Sequence, residues 1–329
     1  MAYKSIAKTV KITVILCTFD RCQSLSRALD SAAAQALSDS VEWEVLVVDN
    51  NSNDQTHEVV EDFCRRYPGR FRYIFEPRPG KSHALNAGIR DARGDVLAFM
   101  DDDVTVEPTW LQNLTAALRD GEWVGSGGRV LPERNFSLPP WLALEERYAL
   151  GPLAMFDLGP DAGPLSEPPF GNNMAFRREM FIKYGGFRTD LGPRPGSEIR
   201  NEDTEFGHRL LAAGERLHYE PSAVVYHAVP ESRLQKKYFL VWWFDKARAD
   251  IRATGISPET KWYVAGIPFV LFRRLVVWTL RWMVAFKPSN RFSCKLKVWG
   301  TLGRMVESYY QSRAATSLSA SVPRVTHRP

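Results

Sequence analysis

The amino-acid sequence predicts an α/β fold built on a mostly parallel central sheet. Three observations carry that prediction. Short runs of Val, Ile, Leu and Phe recur at residues 11–18, 44–49, 71–75 and 96–100, the pattern of strands buried on both faces. Segments with apolar residues at three- and four-residue spacing fall between them, as βαβ units require. The runs give way abruptly to polar residues, most sharply at Asp101-Asp102-Asp103, so charged groups gather where a strand leaves the core.

Taken in order, residues 11–18 form the first strand. The run is short, contains Lys11 and lacks a small-x-small cleavage site, which argues against a secretory leader. Residues 21–36 read as a helix with Leu25, Ala28, Leu29 and Ala32 on one face. The second strand, 44–49, runs into the turn Asn50-Asn51-Ser52-Asn53-Asp54 and a helix from Thr56. A third strand at 71–75, a helix at 81–91 and a fourth strand at 96–100 complete a Rossmann-like layout. Pro108 suits a first helical position, Leu111, Leu114 and Leu118 make the next apolar stripe, and Gly121 stops it. Residues 131–170 and 187–200, rich in Pro and Gly, read as long loops with one short helix near 141–148. A helix resumes over 201–213, with Phe206, Leu210 and Ala213 inward, and residues 223–226 form a strand ending in His227.

Charge divides the chain. Residues 1–230 carry 25 Lys and Arg against 33 Asp and Glu, net −8, whereas residues 231–329 carry 18 against 5, net +13. The basic part also holds six of the ten tryptophans, and basic charge with so dense an aromatic load fits an anionic membrane surface better than nucleic acid. On a helix over 262–286 with Lys287 beyond it, Arg273, Arg274, Arg281 and Lys287 fall within an arc of roughly 140°, opposite Leu271, Leu275, Trp278 and Trp282. Three arginines near the middle disfavour a transmembrane span, so this helix either lies in the plane of a membrane or packs on the rest of the protein. We therefore expect a catalytic domain at 1–230, a basic helical membrane-associating region at 231–313 and an unstructured Ser/Ala-rich tail at 314–329. Cys17, Cys22, Cys64 and Cys294 show no metal-ligand spacing, which fits a reducing, cytoplasmic setting, peripheral to the inner face of the plasma membrane.

Three adjacent carboxylates repel one another, and a hard divalent cation, Mg²⁺ or Mn²⁺, is their usual partner. Four features line up in order: Cys17-Thr18-Phe19-Asp20-Arg21, Val47-Val48-Asp49-Asn50-Asn51-Ser52, the acid cluster, and Asn201-Glu202-Asp203-Thr204-Glu205-Phe206 followed by Tyr226-His227. Over residues 10–230 this ordered set resembles the inverting nucleotide-sugar glycosyltransferases of family 2, which have the A-type glycosyltransferase fold.

The resemblance implies site roles. Thr18 and Asp49 would hold the base and ribose, with Arg21 and Lys81 beside the nucleotide and Asn172, in Gly171-Asn172-Asn173, lining the donor sugar. The Asp-x-Asp signature falls on Asp101 and Asp103. Asp101 and Asp102 would face the nucleotide sugar, and Asp103 with His227 would bind the metal. Of the acidic pair Glu202 and Asp203, adjacent helical residues point about 100° apart, so one faces the reacting carbon; Asp203 is the expected base. The Gln-x-x-Arg-Trp motif of processive relatives is not matched by Gln235-Lys236-Lys237-Tyr238-Phe239, so transfer of a single sugar is expected. The basic, membrane-seeking region points to a lipid-linked or envelope saccharide as acceptor, with a UDP-sugar as the first expected donor and a dTDP- or GDP-sugar as the alternative.

Two alternatives stand beside this reading. Asp101-Asp102-Asp103-Val104-Thr105 also fits the Asp-x-Asp-x-Thr motif of haloacid dehalogenase-like phosphatases, with Asp101 as nucleophile, although three strands precede it. A non-catalytic nucleotide-sugar sensor on the same scaffold is the other.

Overall fold

The computed structural model describes residues 10–38, 40–119, 121–133, 139, 141–142, 151–256 and 261–320. The chain divides into two compact units: Met1–Phe136 with Leu153–Ser197 and Glu202–Val229, and Ser137–Pro152 with Glu198–Asn201 and Pro230–Pro329.

In the first unit, strands β1 (Val10–Thr18), β2 (Val41–Asp49), β3 (Phe71–Phe75) and β4 (Val96–Asp101) alternate with helices α1 (Cys22–Ala33), α2 (Thr56–Arg66) and α3 (Lys81–Asp91). These four strands pair in parallel in the order β3-β2-β1-β4, the expected doubly wound core. Alternate residues serve opposite faces. Ile12, Val14 and Leu16 join α1 and α2 on one side, while Ile15, Leu46, Val48 and Phe99 pack with α3 on the other.

Beyond β4 the sheet changes character. Strands β5 (Val104–Val106), β6 (Gly125–Pro132), β7 (Gly163–Leu165), β8 (Met174–Arg177) and β9 (Leu217–His227) extend it, with helices α4 (Trp110–Ala116), α5 (Arg178–Tyr184) and α6 (Glu202–Ala212) between them. The order continues β4-β8-β6-β9-β5, with β7 on β9; only β6 and β9 run parallel here. Helix α4 begins at Trp110, two residues after Pro108, and still buries Leu111 and Leu114. Strand β9 starts six residues earlier than expected. Its alternation is broken by Pro221-Ser222, where the ladder with β6 shifts register between Gly128 and Arg129.

The second unit is helical: α7 (Lys236–Thr254), α8 (Phe269–Val284) and α9 (Pro288–Ala320), with α7 and α8 both packed on α9. Gly303 permits α9 to approach the Phe244 carbonyl of α7, where a Cβ would collide. Buried Glu307 accepts from Arg252 at 2.8 Å and Arg248 at 3.3 Å, so its charge is compensated inside the bundle. The expected helix over 262–286 starts only at Phe269, because a hairpin of β10 (Tyr263–Val264) and β11 (Ile267–Pro268) precedes it; Ala265 and Gly266, at φ +50° and +77°, form its tight turn. Helix α9 runs on to Ala320, which corrects the expectation that the chain lacks structure from residue 314; the helix continues because 311–320 carry no Gly or Pro to stop it. Residues 321–329, and most of the short helix expected at 141–148, lie outside the described residues. No described helix is long and apolar enough to cross a membrane.

Candidate active site

The parallel register brings the chemistry-bearing residues to one edge of the sheet. Thr18 pairs with Asp49 across β1 and β2, and Cys17 with Asp101 across β1 and β4, so all four sit at carboxyl ends of strands. Antiparallel pairing of β5 with β9 sets Val104 opposite His227, which carries the imidazole to the acid cluster.

The three aspartates point different ways. Asp101 Oδ1 accepts from Lys81 Nζ at 2.6 Å. Burial alone would lower the Lys81 ammonium, but the Asp101 and Glu202 carboxylates outweigh it and hold it well above the usual lysine range. Asp102 is 5% exposed and turned inward, accepting from Thr18 Oγ1 at 2.8 Å and from Arg21 at 3.0 Å. Burial pushes its carboxyl up to about 6, against the opposing pull of Arg21. The Thr18 hydroxyl and the Asp102 carboxylate thus brace the turn after β4. Arg21, half exposed, also donates to Asp103 Oδ2 at 3.0 Å and so bridges the two acids. On its other side, Asp103 Oδ2 lies 3.7 Å from His227 Nε2, and His227 is buried.

Asp49 is buried at the end of β2, accepting from the Tyr73 hydroxyl at 2.8 Å and the Ser52 amide at 2.9 Å. Burial and the adjacent Asp49 carboxylate push the Tyr73 hydroxyl up, so it remains a donor. The next residue, Asn50, was read only as part of a turn. Its amide nitrogen donates to the Glu76 and Arg78 carbonyls and its oxygen accepts from Gly80 N, fixing the loop that opens α3 and aims Lys81.

The acidic pair separates as helical geometry requires. Glu202, 4% exposed, has Oε1 3.9 Å from Lys81 Nζ, and burial followed by the charge of Asp203 pushes its carboxyl up to about 7. Asp203 is only half-buried. Its Oδ2 accepts from Gly171 N at 2.7 Å and its Oδ1 from Thr204 N at 2.7 Å. Oδ1 also accepts from Thr204 Oγ1 at 3.1 Å, so the lone pair left for an incoming hydroxyl is on Oδ2. Asn173 is locked by Trp110 Nε1 and by the carbonyls of Arg129 and Ala223, which positions its neighbour Asn172. Asn172 is buried, and its Oδ1 has no hydrogen-bond partner among the described residues. An orphaned acceptor one residue after the glycine that holds Asp203 suits a ligand hydroxyl.

Among the described residues no three carboxylate, imidazole or thiolate groups form a preformed metal cage. The Asp103 and His227 pair nevertheless fits a divalent cation of the open type, in which one carboxylate and few other protein ligands leave positions for substrate phosphates. Gly171 and Tyr73 were missed as functional residues. For Gly171 a signal existed in its place within Gly171-Asn172-Asn173; for Tyr73, one of several aromatics in a strand, there was none.

Comparison with known proteins follows the same outline. The family model described as "Glycosyl transferase family 2" matches residues 13–185. Over 230 residues the chain is 27% identical to glucosyl-dolichyl phosphate glucuronosyltransferase of Haloferax volcanii, spanning 69% of this chain and 72% of that relative. It is 28% identical over 227 residues to succinoglycan biosynthesis protein ExoM of Rhizobium meliloti, spanning 69% of each. Among solved structures, the mannosyltransferase PcManGT from Pyrobaculum calidifontis, in complex with GDP-Man and Mn²⁺, aligns over 94% of this chain and 78% of its own, with a TM-score of 0.56 at 22% identity. Residues 1–349 of S. aureus TarS, in complex with UDP, align over 92% of each chain with a TM-score of 0.50 at 14% identity. These structural likenesses establish the fold.

Proposed function

Because the chain belongs to glycosyl transferase family 2, we propose that it is a metal-dependent, inverting enzyme that moves one sugar from a UDP-sugar to a lipid-linked or envelope saccharide. Membership sets aside the phosphatase alternative, and the retained acids argue against a sensor. The observation that carries the reading is the half-buried Asp203 carboxylate, pinned by Gly171 N, the residue that precedes Asn172 with its orphaned oxygen.

In this mechanism Asp203 takes the proton of the acceptor hydroxyl, whose oxygen forms the new bond at the anomeric carbon as the bond to the nucleoside diphosphate breaks on the opposite side. One direct displacement inverts the anomeric configuration. Glu202 faces Lys81, so it is a positioning residue that holds the lysine charged near Asp101. Asn172 would accept from a donor-sugar hydroxyl, and Asp49 from an N–H of the base. Asp103 and His227 would hold Mn²⁺ or Mg²⁺, which when bound neutralises charge growing on the departing diphosphate.

The acceptor reading rests on α8. Phe269, Val276, Leu280, Met283 and Val284 are exposed along it, in a unit of strong positive charge. This is not the face of Leu271, Leu275, Trp278 and Trp282 expected from the sequence, where Leu271 is buried. The exposed stripe carries Arg273 and is bordered by Arg274 and Arg281, which makes it complementary to an anionic membrane surface, where lipid-linked saccharides reside.

A screen of nucleotide sugars with Mn²⁺ tests the proposal. A UDP-sugar should give metal-dependent release of UDP, and with an acceptor a product longer by one sugar. Nucleotide-sugar turnover with no metal requirement, or a ladder of polymer, contradicts it.

A further inference from the structure

We propose that the helical unit holds a binding cavity for the phosphate-bearing head of an amphiphilic lipid. The cavity measures 410 Å³, within the range of small-ligand sites. Trp141, Trp243, Trp278 and Phe292 wall it, while Arg274, Lys297 and Arg304 supply charge. Among the described residues no carboxylate lines it. Arg304 meets Asp250 only at 3.7 Å, and Lys297 Nζ rests 4.5 Å over the Trp278 ring. Ser289 and Asn290, in the first turn of the long helix α9, bring the positive end of its dipole to the same space.

This combination selects a ligand class. Three cations, of which only Arg304 has an acid in reach, ask for an anion such as phosphate, which Arg and Lys bind by charge-assisted hydrogen bonds. Four aromatic rings are of no use to a bare phosphate and require an apolar or ring-bearing partner joined to it. Helix α8 supplies the link. At 100° per residue, Arg274 and Arg281 lie between the exposed Val276, Leu280 and Val284 stripe and Trp278, which enters the cavity. A lipid whose chain lies along that stripe therefore presents its phosphate to Arg274. The inference rests on the membrane reading above and extends it by naming what is recognised.

The test titrates full-length protein with dihexanoyl phosphatidic acid below its critical micelle concentration, read by tryptophan fluorescence and calorimetry. Dihexanoyl phosphatidylcholine and inorganic phosphate serve as comparators. Saturable binding of the phosphatidic acid is expected, weakened about tenfold or more by Arg274→Gln and by Lys297→Gln, with both comparators at least about tenfold weaker. No saturable binding, binding unchanged in both variants, or inorganic phosphate binding as tightly as the lipid overturns the proposal. Leu280→Glu, on the exposed stripe, should abolish flotation with anionic vesicles yet keep binding of the short-chain lipid. Short-chain binding by a protein that never floats would defeat the membrane reading alone, and flotation without short-chain binding would defeat the cavity alone.

Discussion

Gly171 donates its backbone N–H to Asp203 Oδ2 at 2.7 Å, and a side chain at Gly171 would place its Cβ 2.7 Å from that same oxygen. The glycine is thus the condition for the carboxylate's position. Gly171→Ala should leave the fold intact but displace Asp203, and misplacing a catalytic group by even an ångström costs about a hundredfold in rate. Steady-state kinetics with a thermal melt checks this: kcat should fall while the melting temperature and donor KM change little. An unimpaired kcat would show that Asp203 needs no such support.

Asp103 and His227 are predicted to share the metal. His227→Ala and Asp103→Asn should each weaken Mn²⁺ binding in the presence of UDP by about ten- to a hundredfold, measured by titration with Mn²⁺ resonance detection. Chelation of the parent protein should abolish turnover, and added Mn²⁺ should restore it. Equal Mn²⁺ affinity in parent and both variants would place the ion elsewhere.

Glu202 makes a pH prediction of definite sign. Its folded-state carboxyl is raised from 4.5 to about 7, so the folded state binds the proton more tightly than the unfolded chain does. The associated stability is fully present below about pH 4.5 and is lost as pH rises through about 7. Glu202→Gln carries no such charge. It should match the parent near pH 4.5 and exceed it at pH 8 by about 3 kcal/mol, seen in denaturant melts at the two values. A difference independent of pH would contradict the burial of this charge.

Much of this was legible in the sequence, for physical reasons. Strand β3 and helix α3 match their expected bounds at both ends, because the Phe71–Phe75 segment lies between charged Arg70 and Glu76, and the helical stripe begins after Gly80 and ends before Gly94. Strand β6 was missed. Its Gly125-Ser126-Gly127-Gly128 start has no strand propensity; it is a strand because its backbone pairs with both β8 and β9, and Phe176 and Leu217 crowd Gly125 so that only a hydrogen fits there. That Asp49, Asp101 and His227 stand at strand ends, with Asp103 just beyond one, was legible from where each apolar run stops; their shared role was implied only by the family resemblance. The inward turn of Asp102 was not, since which of three adjacent acids faces the core depends on the tertiary placement of Thr18 and Arg21.

Membrane association makes a separate claim. Full-length protein should float with vesicles containing anionic lipid and lose that association as salt rises, since a screened surface potential attracts less. Leu280→Glu should reduce flotation sharply, because it puts a charge in the exposed stripe of α8. Equal flotation by parent and variant would assign membrane contact to another surface.

The most direct test of the account is Asp203→Asn, with Mn²⁺–UDP binding and sugar transfer measured on the same preparation. The account predicts binding within a factor of about two of the parent and transfer reduced by about a thousandfold or more, since only the proton acceptor is removed. Transfer within about tenfold of the parent, or loss of UDP binding in step with activity, would contradict Asp203 as the base.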